Sequence, residues 1–344
     1  MVSWRTMTAL KEVFRSFRTW LVVAAPGLGI VTGATGVALW TTTVSSVSAG
    51  AVALGVGLLF GNLAPGQERA QVGLAFASRR VLRVGVVLLG FRLSVGELRQ
   101  NMGLLDVLAV IGLVVLTLWG VNKIARALGL SSDFGRLLGV GYAVCGVSAI
   151  AAVKPLTKAD DEEVAYAVGL VTLFGTLSMA LYPTVAAFLD MSPDLFGWWA
   201  GSAIHDVAQV VATATIRGDV ALETAVVVKL GRVALLGPIL IFLSLRERKQ
   251  EAVRSGIFGL VPLFVLGFIA AVAVRSSGLI PTESLDVLDT LRKICLTAAM
   301  VGVGALVKFR NLASMGGRPL KVGVISWVLL AVVALTVSRL VALA

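Results

Sequence analysis

The stretch "GSAIHDVAQVV", Gly201 to Val211, holds the only histidine of the chain, His205, directly beside Asp206. Both lie in an apolar run, where a charge at a helix centre costs roughly 2.5–3.5 kcal/mol on insertion scales. Helical spacing of three or four residues gathers Ser202, His205 or Asp206, Gln209 and Thr213 into one polar stripe. His205 and Asp206, being adjacent, point about 100° apart on such a helix. A second stretch, "VKLGRVALLGP", carries Lys229 and Arg232 three residues apart on one face. Together these groups are richer in cations than in anions, and a site left positive in low dielectric favours an anionic ligand. Asp206 could tie down a cation or carry a proton, and an imidazole titrating near neutral pH can couple anion movement to proton movement. The plain alternatives are structural. The stripe could be interhelical glue at about 0.6 kcal/mol per hydrogen bond, and Lys229 could snorkel to an interface. Arg83 and Arg92, near the two ends of one span, read as snorkelling residues.

The elements that position these residues follow from composition. Of 344 residues, 58% are hydrophobic and 14% charged, against about 25% charged in a soluble domain. The apolar blocks recur at roughly 20 residues, the length that crosses ~30 Å of hydrocarbon. An all-α polytopic membrane protein of about eleven transmembrane helices is predicted, at about 20–40, 44–63, 80–96, 103–122, 137–153, 164–189, 198–216, 225–244, 256–275, 293–308 and 322–342. The net charge of +11 reads as basic cytoplasmic loops, and nucleic acid is not an expected partner. Cys145 and Cys295 sit in apolar segments with no metal or disulfide spacing, so no metal and no cofactor are expected. Residues Met1 to Trp20 are basic and amphipathic and lack a cleavage site of the secretory type.

With the N-terminus placed in the cytoplasm, most of the 30 basic residues fall in inside segments. These include Arg5, Lys11, Arg15, Arg18, Lys123, Arg126, Arg136, Arg246, Arg248, Lys249, Lys308, Arg310, Arg318 and Lys321. The bias supports eleven spans with the C-terminus outside. Residues 154–163, with the acidic run "DDEE", are then outside. The loop around Asp190 and Asp194 is inside without one basic residue, the weakest point of the assignment.

Two internal similarities point to inverted repeats. "VVLLGFRLSVGELRQNMG" (86–103) aligns without gaps with "MVGVGALVKFRNLASMGG" (300–317), and "AVCGVSAI" (143–150) resembles "AMVGVGAL" (299–306). Each pair is an odd number of spans apart, as opposite orientation requires. "YAVCGVSAIAAVKP" is the first candidate for an interrupted helix, since Gly141 and Gly146 can permit an unwound turn and Pro155 favours an ending. Glycines there could equally be notches for close helix packing. The expected organisation is one integral membrane domain: a basic segment 1–19, an extra helix 20–43, a first repeat 44–190 and a second repeat 197–342.

The motifs "VLLGFRLS", "AVCGVSAIAAVKP", "EEVAYAVGLVTLFGTLSMALYP", "GSAIHDVAQVVA", "VKLGRVALLGP" and "AMVGVGALVKFRNL" resemble the YeiH-type, or sulfate exporter, family of bacterial inner-membrane proteins, from about Pro26 to Leu335. The resemblance implies export of sulfate or a related oxyanion. It also implies a fold similar to the bile acid/sodium symporter and cation/proton antiporter superfamily, in which two broken helices cross near the midplane. By similarity the fifth and tenth spans would be that pair. The expected function is a secondary active transporter of a small inorganic or organic anion, driven by a proton or sodium gradient, since no nucleotide motif is present. Substrate-binding residues expected are Cys145, Gly146, Ser148, Ser202, His205, Asp206, Gln209, Lys229, Arg232, Gly302 and Gly304. The rival is a cation/proton antiporter-like protein using Asp206; a non-transporting membrane protein is a further alternative. An enzyme using His205 and Asp206 as acid and base is not expected, for want of a nucleophile or metal set. The partners are the anion, the coupling proton or sodium ion and the bilayer, with a homodimer as one admissible assembly.

Overall fold

A computed structural model describes residues 4–44, 48–64, 67–96, 103–246, 262–307 and 317–343. Every regular element among them is helical. Among the described residues, five helical stretches are long and apolar enough to cross a membrane: Thr19–Thr41, Leu104–Ala127, Asp161–Phe188, Asp219–Ser244 and Gly317–Ala342. In chain order the helices are α1 (Trp4–Val44), α2 (Ala49–Leu63), α3 (Gln67–Phe76) and α4 (Leu82–Leu89), with a wide turn at Ala77–Val81 between the last two. There follow α5 (Leu104–Ala127), α6 (Ser132–Ala143), α7 (Val147–Val153), α8 (Asp161–Phe188), α9 (Pro193–Ala203) and α10 (Val207–Thr215). The last are α11 (Asp219–Ala234), α12 (Leu236–Arg246), α13 (Leu263–Ser276), α14 (Thr282–Leu306) and α15 (Gly317–Ala342).

The chain forms two compact units. The first comprises Met1–Arg83 and Lys293–Lys308. Its helices meet at glycine notches, where a Cβ on Gly304 would lie 2.3 Å from the Leu54 carbonyl and one on Gly302 2.5 Å from that of Leu74. Asn62 Nδ2 closes this packing with a 2.9 Å bond to the Val307 carbonyl. The end of α14 that carries Gly302 and Gly304 was expected to be broken. It is continuous helix, because its glycines serve close approach between backbones rather than unwinding.

The second unit, Val84–Arg292 with Phe309–Ala344, contains two interrupted segments. α6 stops at Ala143, and Gly146 turns the chain with φ +68°, a left-handed value that favours glycine. α7 then runs back. A Cβ on Gly141 would lie 3.0 Å from Ile150 Cδ1, and at the open end the Lys158 amide donates to Asp133 Oδ2 at 3.3 Å. Ser131 Oγ also donates to the Glu163 carboxylate, which binds the start of α6 to the start of α8. Segment five is therefore a re-entrant hairpin that leaves on the side it came from, and the expected crossing at 137–153 is corrected.

The seventh segment is built alike. α9 and α11 descend side by side in one direction, since Gly197 stands against Ala221 and Gly201 against Ala225. α10, between them in sequence, must return, and Arg217 Nη2 donates to the Met191 carbonyl at 2.6 Å across the open end. The expected crossing at 198–216 is corrected for the same reason. The long helix α8, 28 residues or about 42 Å, separates the two hairpins in sequence. The hairpins therefore enter from opposite ends of α8.

Candidate functional site

Both hairpin tips reach the middle of the second unit. The first tip, Val144–Gly146, lies against Val171 near the midpoint of α8: a Cβ on Gly146 would be 3.1 Å from Val171 Cγ1. That same position is 3.5 Å from Asp206 Cβ and Oδ2, so the two tips adjoin. Tyr142 and His205, one from each hairpin, stack with ring centroids 3.9 Å apart and planes 11° from parallel. Tyr142 is fixed in turn by its hydroxyl, which donates to the Gly323 carbonyl of α15 at 3.1 Å.

Two cations of α11 hold this meeting point. Arg232, 1% exposed, donates from Nε to the Ala143 carbonyl at 2.7 Å and from Nη2 to that of Tyr142. Its Nη1 donates to the Ser202 carbonyl at 2.5 Å and, at 3.3 Å, to those of Gly201 and Ile204. Lys229, fully buried, donates to the carbonyls of Ile204 at 2.7 Å and His205 at 2.5 Å. These oxygens lie at the C-terminal ends of α6 and α9, where orphan carbonyls and the negative end of the helix dipole gather. A planar guanidinium with five donors in a fixed fork reaches two chain ends at once, a geometry an ammonium lacks.

The sequence reading placed Lys229 and Arg232 among ligand contacts, or Lys229 at an interface. Most of their donors go to backbone carbonyls of the tips: two of three on Lys229, and Nε, Nη1 and Nη2 of Arg232. The single polar stripe on one helix is also corrected. The helix breaks at Ile204–Asp206, so Ser202 and Gln209 belong to antiparallel arms. Ser202 Oγ donates to the Trp199 carbonyl at 3.0 Å within α9. Asp206 is the N-cap of α10, accepting from the Ala208 amide at 2.8 Å, and remains partly exposed. Gln209 Nε2 donates to the Thr172 carbonyl at 3.4 Å. Its amide lies over bare backbone, for a Cβ on Gly175 would fall 1.8 Å from Oε1.

Cys145 is buried at the first tip, and Ser148, in the first turn of α7, is exposed. Thus Cys145, Gly146, Ser148, Ser202, His205, Asp206, Gln209, Lys229 and Arg232 gather in the second unit. Gly302 and Gly304 belong to the first unit and its packing. Tyr142, whose ring and carbonyl both serve the site, was missed; nothing in its spacing distinguishes it from a core aromatic. Asp206 as a helix start was also missed. The signal was present, because Asp-Val-Ala-Gln ahead of an apolar run is capping-box spacing.

A separate ionic cluster ties the N-terminal end of α11. Arg92 meets Asp219 at 2.8 Å, Glu223 at 2.8 Å and Asp289 at 3.6 Å, and Arg292 meets Asp289 at 2.8 Å and Asp219 at 3.5 Å. Arg92, expected to snorkel, is half-exposed but ion-paired.

A family model described as conserved hypothetical protein 698 matches residues 26–323. A UPF0324 membrane protein of Corynebacterium glutamicum is 37% identical over 280 residues, 80% of either chain. Another, from Staphylococcus aureus, is 34% identical over 296 residues, 85% of this chain and 88% of that one. One from Chlorobaculum tepidum is 33% identical over 288 residues, 82% of this chain and 80% of that one. No solved structure matches.

Proposed function

This chain belongs to the conserved hypothetical protein 698, or UPF0324, family of membrane proteins, the YeiH-type group, and on that premise we propose that it is a secondary active transporter of a small anion. The observation that carries the reading is the meeting of two opposed hairpin tips at mid-span. Unwound backbone at membrane depth is tolerated only in protein or along a watery cavity, and carriers use such interruptions to hold solutes. A hairpin followed by a crossing helix occurs twice in opposite orientation (α6–α8, then α9–α11), the arrangement of an inverted repeat.

Charge supports an anion. The negative ends of α6 and α9 are neutralised by Lys229 and Arg232, two buried cations at the tips, while the amide end of α10 is capped by Asp206. Against these stands one carboxylate at the tips, that of Asp206. The substrate class we favour is sulfate or a related sulfur oxyanion, moved outward under a proton or sodium gradient. The protein acts as a carrier in a bacterial inner membrane, with no enzymatic step and with a homodimer as an admissible assembly. With two hairpins in place of two crossings, the eleven segments become nine crossings, still odd, so the N-terminus stays cytoplasmic and the C-terminus outside. Residues 154–163 then join the cytoplasmic side with Lys154 and Lys158. The loop around Asp190 moves outward, which removes the one inside loop that had no basic residue.

The test is flux of labelled sulfate, sulfite and thiosulfate in proteoliposomes under imposed proton or sodium gradients; no movement of any of them overturns the reading. A second reading, cation/proton antiport at Asp206, is favoured by one fact: both buried cations are committed to carbonyls while Asp206 stays partly exposed. Cation–proton exchange without oxyanion flux, abolished in Asp206→Asn, would select it.

A further inference from the structure

Carriers with interrupted helices commonly bind their coupling metal ion through unwound carbonyls and the C-terminal ends of half-helices. In this protein six such carbonyls, of Tyr142, Ala143, Gly201, Ser202, Ile204 and His205, already accept from Lys229 or Arg232. A sodium ion bound through the remaining lone pairs of these oxygens would sit directly beside a tethered cation. Like charges at such contact repel strongly in a medium of low effective dielectric. Among the described residues no group of three His, Cys, Asp or Glu side chains gathers as an alternative metal site.

His205 is the complementary observation. Its side chain is fully buried, and neither ring nitrogen makes a well-formed hydrogen bond, although the Tyr142 backbone lies within reach of the ring. Buried polar groups are rarely left unsatisfied, so one that persists calls for a use. The ring is held by its face against Tyr142 and by its own carbonyl on Lys229, and no side chain binds either nitrogen. The charged and titratable groups around it are Tyr142 of α6, Cys145 of the first tip, Asp206 beside it, and Lys229 and Arg232 of α11. Tyr182 of α8 lies within electrostatic reach of Arg232.

We propose that Lys229 and Arg232 occupy the place of a coupling metal cation and that the coupling ion is a proton carried on His205. The inference rests on the transporter reading. An oxyanion arriving at the tips offsets the field of the two cations, so that anion and proton are bound and released together. A ring nitrogen takes a proton from hydronium on one side and returns it to water on the other; only an N–H bond forms and breaks. One proton with divalent sulfate leaves one net negative charge, so an inside-negative potential drives the pair outward while a pH gradient, acid outside, opposes it and one acid inside favours it.

The experiment measures oxyanion flux in proteoliposomes, with choline replacing sodium in one arm and a proton gradient imposed in another. The initial rate is expected to be unchanged by choline and to change severalfold with the proton gradient. In His205→Gln the response to that gradient is expected to vanish. Because His205 is the single histidine, 15N-histidine NMR of the wild-type chain reports this ring alone, independently of how the variant folds. Addition of thiosulfate at fixed pH is expected to convert its signals toward the imidazolium pattern. Sodium-driven flux, a gradient response retained in His205→Gln, or ring signals indifferent to oxyanion each overturn the inference. Absence of oxyanion flux under either gradient overturns the transporter reading itself.

Discussion

Arg232→Met removes every donor that Arg232 gives the two tips while keeping an unbranched chain in the same space. Three bonds are close, to the carbonyls of Ala143, Ser202 and Tyr142; the two at 3.3 Å add little. Each orphaned buried carbonyl costs about 1–3 kcal/mol, so the sum is roughly 3–9 kcal/mol. Whole domains are stable by only ~5–15 kcal/mol, so the variant should be marginal, with the tips the first part to open. Two measurements check this: the unfolding free energy in detergent, and the rate at which Cys145 is alkylated in a Cys295→Ser background. Cys145, 6% exposed at the first tip, should be slow to react in the parent and fast in the variant. Arg232→Lys keeps the charge but not the fork and should fall between the two. A loss below about 1 kcal/mol with Cys145 still protected would show that the guanidinium does not hold the hairpins together.

Gly201→Ala should destabilise by about 1–3 kcal/mol or more, since its methyl would lie 2.4 Å from the Ala225 carbonyl and force α9 off α11. Gly112→Ala, with nothing within 4 Å, should be neutral or stabilising by about 0.5–1 kcal/mol; equal outcomes for the two in a thermal melt would contradict the packing. Single cysteines at Ser131 and Lys158 should react with an impermeant thiol reagent from one side of the membrane and a cysteine at Arg217 from the other, whereas labelling of 131 and 158 from opposite sides would restore a crossing helix. Arg92→Gln should cost no more than about 1 kcal/mol and less in high salt, because its pairs are partly exposed; Arg292→Gln, with a buried guanidinium, should cost more at every ionic strength, as salt-dependent unfolding curves can determine.

Much of the site was legible as residue types. His205, Asp206, Lys229 and Arg232 stand out because charge inside an apolar run needs a partner, and the break at Val144–Gly146 was readable from glycines ahead of Pro155. Their roles were not legible. A run of some twenty apolar residues has the same composition whether it crosses straight or folds into two antiparallel arms, and 137–153 and 198–216 were read as spans on length alone. The loop around Asp190, acidic and without a basic residue, is the one sign in the sequence against two of these crossings. The capping-box spacing at Asp206 marked a helix start that the continuous stripe concealed. Likewise Gly302 and Gly304 carry the same small-residue pattern as Gly146. Only their neighbours, Leu74 and Leu54 against an open turn, distinguish a packing notch from a tip.

Composition and periodicity by themselves determined that this chain is helical and lives in a membrane, because backbone polar groups in hydrocarbon must be satisfied within each segment. They also determined which few ionisable groups needed an account. Only the tertiary structure decided what satisfies those groups. Hydrogen bonds from a side chain to carbonyls thirty or ninety residues away leave no trace in local spacing, so it took the folded chain to turn Lys229 and Arg232 from presumed ligands into clasps and to leave the His205 nitrogens without a side-chain partner.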